Sequence, residues 1–96
     1  MAAGDQAEVT ASLEIKNRKG LHLRAARLFV EAIEPFDAEV MITKDGQVVN
    51  ARSIMGVMML AAEQGSRIDV RASGPQAGQA VEALRVLVDA GFNEGE

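Results

Sequence analysis

The chain has 96 residues, a formal net charge of −4, a single histidine and no cysteine. That length suits one small domain with one modest core, and the residue counts exclude disulfide or thiol chemistry and leave no zinc site to expect. No apolar run is long enough to cross a bilayer, and the opening residues lack the basic-then-apolar pattern of a signal peptide, so a cytoplasmic location without membrane insertion is expected.

Residues 1–7 are small and polar and read as a disordered extension. From Glu8 the pattern alternates cleanly, with Val9, Ala11, Leu13 and Ile15 set against Glu8, Thr10, Ser12, Glu14 and Lys16. A period of two with one apolar face predicts a half-buried strand.

The next stretch, Lys16 to Ile33, is unlike the rest of the chain. It holds the histidine, His22, and five of the ten basic residues: Lys16, Arg18, Lys19, Arg24 and Arg27. No carboxylate lies between Glu14 and Glu31, although the chain as a whole is acidic. A cationic island of this kind calls for an anion. Ala26, Phe29, Val30 and Ile33 form an i, i+3, i+4, i+7 stripe, which predicts a helix with one buried face, ending near Glu34 ahead of Pro35. Gly20 breaks that pattern on the upstream side and frees the backbone to turn. The usual Ser, Thr, Asp or Asn cap is missing, because Asn17 lies too far back, so the first-turn amides have no ordinary side-chain acceptor unless His22 serves. Amides at a positive helix end attract anions, and Arg24 adds a forked cation shaped for phosphate oxygens. From these residues alone, a phosphate-accepting histidine and a histidine that merely caps a helix among solvated bases stand as equal readings.

Ala38, Val40 and Ile42 alternate with Glu39, Met41 and Thr43 as a second strand. Asp45-Gly46 is a hairpin signal, with Gln47 to Asn50 returning as a third strand. Ser53 is a good N-cap for a helix running towards Gly65, with Val57, Leu60 and Ala61 facing inward. Met55, Met58 and Met59 then point outward or sideways, with Ile54 on a flank. A methionine at helical spacing is ordinarily core filler, but three around one short helix cannot all be buried. Exposed methionines suit a surface that meets several partners, and Leu23 and Leu28 extend the same patch. Ile68, Val70 and Ala72 alternate with Arg67, Asp69, Arg71 and Ser73 as a fourth strand. Gly74-Pro75 turns the chain into a last helix, whose Ala80, Val81, Leu84, Leu87 and Val88 form the buried stripe. Residues 91–96 read as a polar tail, which leaves a single domain over 8–90.

The order is β-α-β-β-α-β-α, an α+β chain whose alternating strands give one apolar sheet face for the helices to cover. Periodicity does not specify the order of strands in the sheet.

Gly20-Leu21-His22-Leu23-Arg24-Ala25-Ala26 resembles the active-site signature of the HPr family, the histidine phosphocarriers of the phosphoenolpyruvate-dependent phosphotransferase system. Arg52-Ser53-Ile54-Met55-Gly56-Val57-Met58, at the matching distance, resembles the segment around that family's regulatory serine. The likeness runs from about Glu8 to about Ala90. It implies an HPr-like open-faced two-layer sandwich, with a four-stranded antiparallel sheet in order 1-4-2-3 covered on one face by three helices.

For function, the resemblance implies that His22 accepts a phosphoryl group through Nδ1 and that Arg24 steadies the phosphate. Ser53 becomes a regulatory phosphorylation site as well as a cap. Leu23, Ala25, Arg27, Leu28, Ile54, Met55 and Met58 become the partner surface. Expected partners are an enzyme I-like donor charged by phosphoenolpyruvate, enzyme IIA-like acceptors and an HPr kinase/phosphorylase. The chain would act as a monomer and as a substrate of phosphotransferases rather than a free-standing catalyst, with no cofactor or metal. Leu23 stands where the family usually has a small or hydroxylated residue, Ala25 where it most often has proline, and Leu28 where a polar residue is common. These departures bear on partner choice more than on chemistry.

Three other readings compete with this one. Nucleic-acid binding is disfavoured by the acidic balance and by the absence of Trp and Tyr, with only three Phe for stacking. A serine hydrolase is disfavoured because no G-x-S-x-G elbow surrounds any serine. A regulatory module of the same family, for example of the nitrogen-type branch, remains the alternative to a carrier for sugar uptake.

Overall fold

The computed structural model describes residues 8–94, so the expected disordered extension over 1–7 lies outside the described residues. The alternating stretches form strands β1 (Val9–Glu14), β2 (Glu39–Lys44), β3 (Gln47–Asn50) and β4 (Arg67–Ser73). The striped stretches form helices α1 (Leu23–Ile33), α2 (Ile54–Met59) and α3 (Ala77–Asp89), and a 3-10 turn follows at Gly91–Asn93. All pairings are antiparallel and the sheet order is β1-β4-β2-β3, the arrangement the family resemblance implied.

Register explains why β4 sits inside the sheet. Leu13 pairs with Ile68 on one side, while Val40 pairs with Ala72 and Ile42 with Val70 on the other. Directly paired residues share a face, so these apolar side chains make one continuous buried surface. Ala26, Phe29 and Ile33 of α1 and Ala80, Leu84 and Val88 of α3 close over it, all of them fully buried. The opposite face carries Thr10, Ser12, Glu14, Asp69 and Arg71, exposed. The Asp45-Gly46 hairpin is built as the dipeptide suggests: both residues take positive φ, 51° and 81°, so that Lys44 and Gln47 can pair.

Three expectations are corrected. The second helix stops at Met59 instead of running to Gly65: Leu60 caps it, and Ala61 takes a φ of 51° that ends the helical path. Ala61 is therefore exposed, and Ala62 turns inward in its place. In α1 the buried stripe includes Ala25, whereas Val30 is only half-buried, a rotation of the face by about one residue. The third correction concerns the polar tail. Residues 91–94 pack onto the domain: Phe92 is fully buried, and Glu94 reaches the His22 loop. The domain therefore extends past residue 90, while 95–96 lie outside the described residues. A polar composition concealed one large apolar side chain, and the transfer of Phe92 from water is worth roughly 1.5–3 kcal/mol, enough to hold a short segment down.

Candidate functional site

The loop that delivers His22 is built on Gly20. Its φ of +68° is a left-handed conformation, and a Cβ there would sit 2.3 Å from the Ala62 carbonyl oxygen. Only glycine allows that approach. The same Ala62 oxygen accepts a hydrogen bond from the Leu21 amide at 2.9 Å, tying the loop to the segment just after α2. The Gly20 carbonyl in turn accepts from the His22 amide at 3.0 Å and from the buried Asn17 side-chain amide at 2.8 Å. The backbone at His22 is thereby fixed from both sides.

His22 is the N-cap of α1, with extended backbone (φ −77°, ψ −177°), and its carbonyl accepts the first helical bond from Ala26 at 2.8 Å. No side chain caps the first turn and no acidic residue lies in it. The imidazole does not turn back onto the helix amides. It faces Glu94, with Nε2 at 2.5 Å from Oε2. The Arg24 guanidinium stands 3.6 Å from the same oxygen, and the Asn17 amide donates to the other carboxylate oxygen at 3.1 Å. The Glu94 side chain is 7% exposed, against 28% for His22 and 48% for Arg24. Burial alone would raise the Glu94 carboxyl pKa. Hydrogen bonds from His22 and Asn17, together with the charges of His22 and Arg24, outweigh it and hold the group below its ordinary value. The island that lacked a carboxylate in sequence has one in space.

Sequence reasoning missed Glu94; Asn17 does lie too far back to cap α1, as expected, but it holds the loop and the carboxylate instead. Asn17 is 2% exposed, and its Oδ1 has no hydrogen-bond partner among the described residues. The available signals were slight: an asparagine just ahead of the glycine turn, and a lone phenylalanine in a polar tail.

The other candidate residues fall in two places. Leu23 (61% exposed) and Met55 (68% exposed) are open to solvent, Arg27 is exposed, and Leu28, Ile54 and Met58 are half-buried against the core. Leu23, Arg24 and Arg27 line a shallow depression of about 250 Å³. Ala25 is the exception. It is fully buried, because its short side chain faces the core one turn into α1. Met59, also 61% exposed, lies on the outer side of α2 and enlarges the apolar surface there. Ser53 is exposed and caps α2, its hydroxyl accepting from the Gly56 amide at 3.0 Å. Arg52 beside it is already engaged, donating to the Phe36 and Ala38 carbonyls at 2.8 and 2.9 Å.

A histidine at an uncapped helix start, an arginine two residues on and a serine-capped second helix packed alongside reproduce both blocks of the signature in one fold. A family model described as the PTS HPr component phosphorylation site matches residues 9–90. The chain belongs to the HPr family. It is 44% identical over 85 residues to a phosphocarrier protein HPr of Neisseria meningitidis, covering 88% of this chain and 96% of that one. It is 38% identical over 87 residues to a phosphocarrier protein NPr of Klebsiella oxytoca, covering 90% and 97%. Among solved structures, HPr from Thermoanaerobacter tengcongensis superposes with a TM-score of 0.84 at 41% identity, covering 94% of this chain and 99% of that chain. Among the described residues, no helix of this HPr-family chain is long and apolar enough to cross a membrane.

Proposed function

We propose that this phosphotransferase-system carrier accepts a phosphoryl group on His22 from an enzyme I-like donor charged by phosphoenolpyruvate and passes it to enzyme IIA-like acceptors. The observation that carries this reading is His22 at an uncapped start of α1, with no acidic residue in the first turn and the half-exposed Arg24 beside it. Arg24 steadies the phosphate, and the donor and acceptor enzymes supply the rest of the catalytic surroundings. The exposed apolar side chains of Leu23 and Met55, with Leu28, Ile54 and Met58 beside them and Arg27 at the rim, form the docking face. Ser53 is the regulatory position, open to an HPr kinase/phosphorylase.

Incubation with phosphoenolpyruvate and the cognate enzyme I, followed by intact mass and site mapping, tests the reading. One acid-labile, base-stable phosphate is expected on His22. The His22→Ala chain should take none while keeping its fold, and transfer persisting in that variant would overturn the assignment.

The likeness to the Klebsiella NPr supports a second reading, in which the same carrier serves a regulatory branch instead of sugar uptake. Transfer rates to acceptor proteins of the two branches, measured side by side, separate them.

A further inference from the structure

Glu94 has no part in the transfer described above, yet its carboxylate contacts the His22 ring at 2.5 Å. Its carboxylate is also oriented at both ends. Oε1 takes the Asn17 amide at 3.1 Å, and Asn17 is itself buried and anchored on the Gly20 carbonyl at 2.8 Å. Oε2 is thus aimed at His22 Nε2, at 2.5 Å. An ionised carboxylate only accepts hydrogen bonds, so the nitrogen facing it must carry the proton. In a neutral imidazole the other nitrogen then holds the lone pair.

The geometry points to Glu94 as a positioning residue that selects the Nε2-protonated tautomer of His22, leaves Nδ1 as the only nucleophilic nitrogen, and offsets the charge the ring acquires on phosphorylation. This rests on the carrier reading of His22. In the step itself the Nδ1 lone pair attacks phosphorus of an N-phosphorylated donor. The new N–P bond forms as the donor's N–P bond breaks, and that electron pair returns to the donor nitrogen. His22 keeps its Nε2 proton and becomes a cationic N-phosphoimidazole, whose Nε2–H now points at an anion. The contact is therefore stronger after transfer than before, which is the condition for accelerating the step rather than only binding. Arg24, 48% exposed and only 3.6 Å from the carboxylate, is loosely held and free to turn to the incoming phosphate.

The anchoring also explains why a residue so near the end of the described chain can act on a ring 72 positions away. Phe92, two residues earlier, is fully buried and pins the segment. Glu94 needs only the last short step to reach His22.

The test uses the full chain, its Glu94→Ala and Glu94→Gln variants, and potassium phosphoramidate as a small N–P donor that needs no partner protein. Long-range 1H–15N NMR of the His22 ring, at a pH where it is neutral, reads the tautomer. 31P and 15N spectra read which nitrogen is phosphorylated, and the time course gives the rate. In the wild type, an Nε2-protonated ring and an Nδ1 product are expected. Glu94→Ala should populate both tautomers, yield a detectable Nε2 product and react roughly tenfold more slowly, the scale of losing one hydrogen bond to a charged group. Glu94→Gln keeps the shape, but the Asn17 donor claims its one oxygen and leaves an NH2 facing His22 Nε2, so it should favour the Nδ1-protonated tautomer and lose the Nδ1 product as well as rate. A Glu94→Ala chain with the wild-type tautomer and rate overturns the inference while leaving the carrier reading intact. A faster Glu94→Ala chain also overturns it, since Glu94 would then be an occupant that phosphate must displace. A wild-type chain that takes no phosphate on His22 from either phosphoramidate or enzyme I overturns the carrier reading and this inference with it.

Discussion

At the scale of single residues, the site is a set of charges whose separations decide their roles. Arg24 reaches the Glu94 carboxylate at 3.6 Å and remains half exposed, so water screens much of that pairing. In the proposed transfer its larger effect falls on the phosphate, where a forked cation can make paired contacts. Losing a charged hydrogen bond typically costs about 1.5–3 kcal/mol, so Arg24→Ala should slow phosphorylation of His22 by roughly one to two decades while urea midpoints move little. A wild-type rate in that variant would reduce Arg24 to a solvated neighbour. Glu94 also couples pH to stability. Its folded-state pKa lies below the ordinary 4.5, so its contribution is complete above that value and is lost as pH falls through the lowered one. The stability gap between wild type and Glu94→Ala, followed by urea unfolding, should therefore close in acid as the Glu94 carboxylate takes up its proton. A gap that widened in acid would contradict the direction of the shift.

At the scale of elements, α2 carries the proposed regulatory position. It is only six residues long, too short to persist alone, and is held by the Ser53 cap and by Val57 and Leu60 against the core. Ser53→Ala should cost about 1 kcal/mol through loss of the cap. A phosphate on Ser53 is compatible with the helix, because it adds negative charge at the N-terminus. Arg52 spends its Nη2 on the Phe36 and Ala38 carbonyls, and the added charge would face the proposed docking surface of Ile54, Met55 and Met58. Ser53→Asp should accordingly slow phosphorylation of His22, whereas Ser53→Ala should not; equal rates for both, measured with enzyme I and phosphoenolpyruvate, would leave Ser53 a cap alone. The existence of this helix was legible because Ser53 and the apolar positions after it are adjacent in sequence. Its end was not, because Ala61 carries no breaker chemistry: its φ of 51° comes from the need to turn Ala62 inward, where the Ala62 carbonyl meets Leu21.

At the scale of the whole molecule, the last described turn closes the domain. Phe92 and Asn93 both adopt positive φ, 56° and 59°, conformations that cost a bulky residue of order 1–3 kcal/mol and persist only when burial repays them. Phe92→Ala should lower stability by about 3–5 kcal/mol, the usual cost of emptying a buried aromatic site, and should release Glu94 from the His22 ring. Urea midpoints measure the first effect and the His22 ring resonances the second. An unchanged midpoint would show that the segment contributes nothing to the core.

The sequence by itself determined the strands, the helices, the hairpin and the phosphocarrier signature, because each is written in residues a few positions apart. Alternation of Val40 and Ile42, the stripe through Phe29 and Ile33, and the Gly20-Leu21-His22 run need no distant partner to be read. Only the tertiary structure decided what stands against His22. Glu94 and Asn17 meet across 77 positions, and Gly20 meets Ala62 only where the loop crosses the end of α2. No local period encodes such meetings. They follow from how the α1 and α3 faces pack on one sheet, which fixes where the chain leaves α3, and from the burial of Phe92, which turns an apparently polar tail back onto the site.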